Sequence, residues 1–351
     1  MIWKYSAKRI FRMKKSIYIS IFLVVGFLFI EGTRNEITAQ KMSLTQDPSL
    51  NNLVHAVGYK TGKLGELGRV DLAGTGSKDM ILIAGFGFGG KVWDGFISSR
   101  KEQYSMYSIT LPGFDGTPAP PMPTAETSYG EQTWTRAALC GVRRLIVEKK
   151  LKKPIIVAHW SIATQIAIAL ALVYPELVSR VVVVSGIAKN VMADAQFGKT
   201  LTVKDRIAYV DKGMAPRWFK TVTRDTWDDN NWYPSDYAVH PVRAMQLWRM
   251  AFQPTLPVNV RYLCEIWAQD STVGLEKLKV PLLIVKPGLG SDYDSIPGQR
   301  GGLRFLTQDS WKDVEIKSKL ITVKTIENSR AFIMDDQPKR LDEIIEAFLR
   351  S

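Results

Sequence analysis

Residues 154–175 constrain the fold of this chain more than any other stretch. An apolar β-branched run, Ile155-Ile156-Val157, is followed after a few residues by an alanine-rich apolar run from Ala163 to Tyr174. The first run is typical of a strand buried on both faces, and the second is typical of a buried helix. Ser161 lies in the short join between them. A serine on such a sharp turn exposes its Oγ for nucleophilic attack, so the stretch predicts a strand, a candidate nucleophile and a helix.

The rest of the chain alternates apolar strand-like runs with helical patterns. The strand-like runs are residues 67–72, 80–84, 106–110, 181–184, 280–285 and 320–326, and the clearest further helices are 131–149 and 338–349. This alternation predicts an α/β fold, with a mainly parallel sheet and helices on both faces. Residues 187–278 break the rhythm, because they are helix-like and hold five of the ten tryptophans. They predict a helical cap over a cleft, or a second small hydrophobic core.

A glycine-rich segment, residues 85–90, spells G-x-G-x-x-G directly after a strand-like run. A dinucleotide site with this motif needs an acidic residue at the end of the next strand, about 20 residues further on. The next strand-like run ends instead in Leu111-Pro112-Gly113. The segment therefore predicts a turn that directs backbone N–H groups into a cleft.

The N-terminus has the pattern of a targeting segment. Six basic residues precede an apolar stretch at residues 17–30. That stretch is short for a membrane span but suits a signal peptide. We therefore expect residues 1–40 to be a signal peptide, or alternatively a retained N-terminal anchor, and residues 41–65 to be a polar lead-in. The processed protein is then exported, to a bacterial periplasm or beyond, without a stable membrane span.

Charge and cysteine usage exclude several classes of function. The formal charge of +13 falls to +8 without residues 1–40, and the surplus is spread along the chain, which does not indicate nucleic-acid binding. Cys140 and Cys264 lie in apolar helical contexts and read as separate buried thiols rather than a disulfide. Three scattered histidines and two distant cysteines offer no metal-ligand spacing, so neither a metal nor another cofactor is expected.

Four stretches together resemble one known superfamily. They are residues 82–90 with the following Val92-Trp93, the segment 111–116, the turn around Ser161 with Tyr174-Pro175 after its helix, and residues 332–338. Over about residues 66–350 the chain resembles the α/β-hydrolase superfamily, of the serine-hydrolase type with a helical cap. The resemblance implies a core in two parts, 66–186 and 279–351, with the cap 187–278 inserted after the sixth strand.

The resemblance also implies roles for individual residues. Ser161 falls on the nucleophile position, although His159 and Ala163 stand where the G-x-S-x-G motif has glycines. The backbone N–H groups of Phe86 and Ile162 fall on the oxyanion-hole positions.

The acid of the triad should follow the strand-like run 280–285. Asp292 is the first choice and Asp294 the second, because the loop is longer than usual.

The histidine of the triad is missing from its expected position. The stretch before Phe332 reads Ser329-Arg330-Ala331, so Ala331 stands where the histidine is expected. Without a base a serine hydroxyl is a poor nucleophile, and loss of this histidine costs about 10⁶-fold in kcat in a well-studied protease. His159 and His240 are possible substitute bases, whereas His55 precedes the fold.

These observations predict an exported serine-hydrolase-like protein that acts on an ester or related acyl bond of a small, partly apolar substrate. Because the triad is incomplete, the expected activity is weak or absent. The alternative is a non-catalytic pseudo-hydrolase that binds a small ligand unchanged. The sequence leaves the oligomeric state open.

Overall fold

One seven-stranded sheet forms the centre of the fold. The computed structural model describes residues 67–120, 129–131, 133–221, 223, 233–296 and 302–351. The strands are β1 Arg69–Ala73, β2 Lys78–Ile83, β3 Tyr104–Thr110, β4 Ile155–His159, β5 Arg180–Val184, β6 Leu282–Pro287 and β7 Ile321–Ile326. Their order across the sheet is β1-β3-β2-β4-β5-β6-β7. β1 runs antiparallel to β3 and every other pair is parallel, which confirms the predicted α/β class.

The most apolar strands lie in the middle of the sheet. All five residues of β4 and the last four of β5 are buried. Val157 pairs with Leu82 of β2 on one side and with Val182 of β5 on the other. Each fully buried Val, Leu or Ile side chain contributes about 1.5–3 kcal/mol, so this centre dominates the stability of the sheet. No residue of the edge strand β1 is buried.

Helices flank the sheet and follow its strands in chain order. Their bounds are α1 Asp94–Ser98, α2 Thr133–Glu148, α3 Ile162–Val173, α4 Val191–Gln196, α5 Val203–Tyr209, α6 Ala215–Thr221, α7 Pro234–Tyr237, α8 Pro241–Ala251, α9 Leu256–Ala268, α10 Gly302–Thr307, α11 Ile333–Asp336 and α12 Pro338–Arg350. A π-helical turn, Val210–Met214, joins α5 to α6. The predicted helices at 163–174, 131–149 and 338–349 correspond to α3, α2 and α12.

Residues 187–278, the helical insertion, contain α4 to α9. In chain order they separate the fifth strand from the sixth, whereas the resemblance placed them after a sixth strand. The described part of the chain contributes one strand fewer before the insertion than that placement assumed. Leu247 and Tyr262 of the insertion belong to the same hydrophobic cluster as the sheet, so the insertion shares the main core. Trp227 and Trp232 lie outside the described residues.

A buried carboxylate attaches the insertion to the sheet domain. Glu265 of α9 accepts hydrogen bonds from the backbone N–H groups of Trp134 and Thr135, at 2.9 and 2.8 Å, and from Thr135 Oγ1 at 2.7 Å. These are N–H groups of the first turn of α2, which have no partner within the helix. Arg261 Nη2 lies 2.9 Å from Glu265 Oε1, and both side chains are fully buried. Glu265 therefore caps α2 from the neighbouring helix.

Cys140 and Cys264 are both buried and neither forms a disulfide, which confirms the prediction of two separate thiols. Burial raises the pKa of Cys264 to about 12, so this thiol stays protonated and unreactive. Within the described ranges, no helix combines the length and hydropathy needed to cross a membrane. The same residues contain no group of three or more side chains arranged to hold a metal ion.

Candidate active site

Ser161 lies on a strained turn between β4 and α3. Trp160 has a φ of 67°, and Ser161 has a φ of 53° and a ψ of −117°. A positive φ is uncommon for residues with a side chain and occurs often at functional sites. The turn is held in place because Trp160 N–H donates to the carbonyl of Val184 in β5, at 3.1 Å. The backbone thus has the sharp strand-to-helix shape that the sequence predicts.

The close approach in this turn depends on Gly85, not on glycines at positions 159 and 163. A Cβ added to Gly85 would lie 2.2 Å from the carbonyl oxygen of Trp160 and 2.3 Å from that of His159. Gly85 begins the glycine-rich turn, which closes when Phe88 N–H donates to the Gly85 carbonyl at 3.1 Å. Two loops therefore pass one another here at backbone contact distance, and only glycine fits.

Two backbone N–H groups near the turn of Ser161 have no hydrogen-bond acceptor among the described residues. Phe86 N–H belongs to the glycine-rich turn, and Ile162 N–H is the first of α3, whose N-terminus has no side-chain cap. Within the described residues neither group donates a hydrogen bond to the protein. Ile162 is fully buried and Phe86 is 6% exposed. Such N–H groups can stabilise negative charge on a ligand oxygen.

The end of the glycine-rich turn is tied to the sheet. Gly90 N–H donates to Thr110 Oγ1 at 2.8 Å, and the Gly90 carbonyl accepts from Ser108 Oγ at 3.1 Å. The last amide of the G-x-G-x-x-G motif is therefore bound to a side chain of β3.

His159 is buried at the end of β4, among aromatic rings. Its ring centroid lies 4.4 Å from that of Phe332 and 6.0 Å from that of Trp93. Its Nε2 lies 3.0 Å from the carbonyl oxygen of Ala331, and its Nδ1 has no partner among the described residues. Because burial disfavours the charged form, the pKa of His159 falls to about 3. The imidazole is therefore neutral at physiological pH, with Nε2–H donating to Ala331.

Ala331 is fully buried in the loop between β7 and α11. Its N–H donates to the carbonyl of Asp236 at 3.0 Å, while its carbonyl accepts from His159. The backbone of residue 331 is thus held from both sides.

The other predicted side chains lie near the surface. Asp292 is 71% exposed and pairs with Arg330, whose Nη2 lies 3.2 Å from Oδ1. Asp294 is 64% exposed and pairs with Arg304 at 2.8 Å. His240 is exposed at the N-terminus of α8. The fold therefore brings Asp292 next to the loop of Ala331, by way of Arg330.

Ser161 is 3% exposed, and its Oγ has no hydrogen-bond partner among the described residues. Neither His159 nor His240 is bonded to it.

Sequence reasoning missed a buried carboxylate of the helical insertion. Asp236 of α7 accepts from Tyr293 Oη at 2.6 Å and from Tyr233 N–H at 2.8 Å. In the sequence, Tyr233-Pro234 is followed by an acidic residue at the third helical position. This pattern predicts only the start of a helix. The contact with the Ala331 loop depends on how the insertion folds back, which no local pattern reports.

Known structures share this architecture. Bromoperoxidase from Bacillus anthracis aligns with a TM-score of 0.56 at 15% identity, covering 80% of this chain and 95% of that one. A thermophilic esterase from Thermogutta terrifontis gives a TM-score of 0.58 at 15% identity, covering 80% and 92%. The enol-lactonase from Burkholderia xenovorans LB400 gives 0.56 at 12% identity, covering 81% and 96%. At these identities the likeness shows the fold alone.

No curated protein matches the sequence significantly. The profile of the alpha/beta hydrolase family, however, matches residues 80–343, about three quarters of the chain. The matched range runs from β2 into α12 and includes the turn of Ser161 and the loop of Ala331. With the sheet order and the strand-to-helix turn, this match makes the chain a member of the alpha/beta hydrolase family.

Proposed function

We propose that this protein keeps the ligand cleft of a serine hydrolase but hydrolyses esters weakly or not at all. The proposal is carried by the Oγ of Ser161, which has no hydrogen-bond partner among the described residues, together with an alanine at the loop position where the resemblance expects the base. A serine hydroxyl needs a neighbouring base to become a strong nucleophile. Its ligand is a small, partly apolar molecule with a carbonyl or carboxylate oxygen.

The free N–H groups support binding of such an oxygen. Phe86 and Ile162 offer two backbone donors beside Ser161 that the described protein does not use. In active serine hydrolases one donor of this kind is worth about 3 kcal/mol toward the transition state. In this protein the same donors hold a ground-state oxygen in place.

Aromatic packing beside these donors supports an apolar ligand body. The ring of Phe86 meets Phe114 edge-on, with centroids 5.8 Å apart, and Phe114 packs on Tyr262 of α9 at 4.7 Å. This row of rings leads from the donor loop into the helical insertion, which then acts as the cap of the cleft. The three rings are 0 to 6% exposed, and an uncharged aromatic environment of this kind favours apolar ligands over highly charged ones.

The second candidate is a slow hydrolase with a relocated base. The unpartnered Nδ1 of His159 is the observation that favours it. A base with a pKa of about 3, however, is a weak proton acceptor at neutral pH. His159 therefore supports the binding function better than the catalytic one.

A fluorophosphonate probe separates the two candidates. We expect labelling of the wild-type protein, by phosphonylation of Ser161 with loss of fluoride, to be no faster than the background labelling of the Ser161→Ala control. Rapid, stoichiometric labelling of Ser161 would contradict the proposal. If labelling occurs and His159→Gln abolishes it, the relocated base is correct.

The Ala331→His substitution tests the origin of the cleft. We expect ester turnover to appear in Ala331→His and to disappear again in the double variant Ala331→His/Ser161→Ala. That result would identify a disabled hydrolase site. A p-nitrophenyl ester of a short acyl chain is a suitable reporter. No gain in turnover, in a variant that folds normally, would contradict the assignment of position 331.

We also propose that the protein is exported, because residues 1–40 combine basic residues with a short apolar stretch. Fractionation of cells that express a C-terminally tagged chain tests this, followed by N-terminal sequencing. A signal peptide gives a shortened protein in the periplasm or medium, whereas a retained anchor leaves the full chain in the membrane.

A further inference from the structure

The loop of Ala331 is bonded along its backbone to the helical insertion. Ala331 N–H donates to the Asp236 carbonyl at 3.0 Å, and Phe332 N–H donates to the Tyr237 carbonyl at 2.9 Å. These two bonds join the segment after β7 to α7 of the insertion. The loop therefore binds the insertion directly, by bonds that do not depend on the side chain at position 331.

Asp336, the last residue of α11, strengthens the same junction. Its Oδ1 accepts from Val239 N–H of the insertion at 2.8 Å, and its Oδ2 accepts from Arg330 N–H at 2.8 Å. One carboxylate thus spans both segments. Hydrogen bonds to a charged acceptor contribute about 1.5–3 kcal/mol each, more than bonds between neutral groups.

Two further side-chain contacts stabilise this junction. Tyr293 Oη, from the loop after β6, donates to Asp236 Oδ1 at 2.6 Å in a buried position. Arg243 of α8 pairs with Asp335 Oδ2 at 2.9 Å near the surface. The junction is therefore stabilised by one contact in the interior and one contact near the surface.

The junction also touches the elements that hold Ser161. The ring of Phe332 lies 4.7 Å from that of Phe88 in the glycine-rich turn, and Phe88 lies 5.8 Å from Tyr237. His159, two residues before Ser161, donates to the Ala331 carbonyl. Separation of the loop from α7 would thus loosen the glycine-rich turn and the end of β4, the two elements that enclose Ser161, which is 3% exposed.

We propose that residues 329–336 form a strap that holds the helical insertion against the sheet domain beside Ser161, and that molecules reach Ser161 only when this strap opens. The inference rests on the proposed function, in which residue 331 contributes no catalytic side chain and the loop serves as a fastening. It adds a conformational gate to that function.

Thiol labelling measures the opening of the gate. In the full chain, Ser161→Cys places a single new thiol in the cleft, and 5,5′-dithiobis(2-nitrobenzoate) reports its accessibility. Cys140 and Cys264 are buried, so the wild-type protein gives the background rate. In the Ser161→Cys protein, adding Asp336→Asn or Tyr293→Phe should raise the labelling rate about tenfold each, because each removes a bond to a charged acceptor.

Glu343→Gln is the matched control, because Glu343 forms an exposed pair with Arg340 on α12, away from the loop. It should leave the labelling rate unchanged. Equal labelling rates in all the variants would overturn the proposal. So would rates that follow the free energy of global unfolding, measured in urea for each variant. If Asp336→Asn fails to fold, Tyr293→Phe alone decides, since it removes only one hydroxyl group.

The two proposals are separated by measuring access to residue 161 and activation of Ser161 in the same strap variants. Thiol labelling in the Ser161→Cys protein reports access to residue 161. Phosphonylation of Ser161 by the fluorophosphonate in the Asp336→Asn or Tyr293→Phe protein, in which access is raised, reports activation of Ser161.

Discussion

Burial of His159 links the stability of the protein to pH. Its pKa falls from 6.5 to about 3 in the folded protein, chiefly because burial removes the imidazole from water. The unfolded chain therefore binds a proton between about pH 6.5 and about pH 3, and the folded protein does not. The stability tied to the neutral imidazole is complete above about pH 6.5 and is lost as the pH falls.

The expected loss is large enough to measure. Each pH unit below 6.5 removes about 1.4 kcal/mol from the free energy of unfolding, until the folded pKa is reached. At about pH 4.5 the loss attributable to His159 is therefore about 3 kcal/mol. That is a substantial part of the 5–15 kcal/mol typical of whole proteins.

Urea unfolding of wild type and His159→Gln, at about pH 7.5 and about pH 4.5, isolates this contribution. Other groups titrate in both proteins and cancel, so the wild type should lose about 3 kcal/mol more than the variant between the two conditions. His240→Gln is the control, because His240 is exposed, and it should show the wild-type pH dependence. If the wild type and His159→Gln lose the same free energy of unfolding on acidification, the inference that His159 is buried in its neutral form is wrong.

Three further substitutions test the fold itself, each by urea unfolding at neutral pH. Glu265→Ala should cost about 3–5 kcal/mol, because it leaves Arg261 buried without its partner and uncaps α2; an effect below 1 kcal/mol would contradict the buried pair. Gly85→Ala should cost about 1–3 kcal/mol, since its methyl group overlaps the carbonyl of Trp160, and wild-type stability there would refute the close contact. Ile166→Ala should cost about 2–5 kcal/mol, whereas Ile316→Ala, at a position that is 86% exposed, should have little effect; equal losses would contradict the assigned core.

The sequence was most informative where one residue pattern decides local structure. The β-branched runs of β4 and β5 and the alanine-rich run of α3 have different periods and lengths, so their types and approximate bounds followed directly. The place of Ser161 followed too, because it lies in the few residues between them. The positive φ angles of Trp160 and Ser161 fit the predicted turn, although the glycine that permits it, Gly85, lies on another loop.

Contacts between distant segments could not be predicted in this way. The bond from His159 to the Ala331 carbonyl joins a strand end to a loop much later in the chain. The position of Asp236 depends on the path of the whole insertion, while its sequence context reports only a helix start. Asp292 was chosen by its distance along the chain from a strand, and nothing in that distance reveals its ion pair with Arg330. The assignment of roles to Asp292, Phe86 and Ile162 stays a prediction.

The N–H groups of Phe86 and Ile162, which have no acceptor in the part of the chain that the structure describes, have a thermodynamic consequence for identifying the ligand. A buried backbone donor without an acceptor costs roughly 1–3 kcal/mol, so a molecule that supplies an oxygen there relieves a penalty that the folded chain otherwise bears. Such a molecule binds only the folded state and raises the melting temperature with its concentration. A thermal-shift screen of small carbonyl and carboxylate compounds can therefore detect ligands that bind these N–H groups, even if the protein does not turn them over.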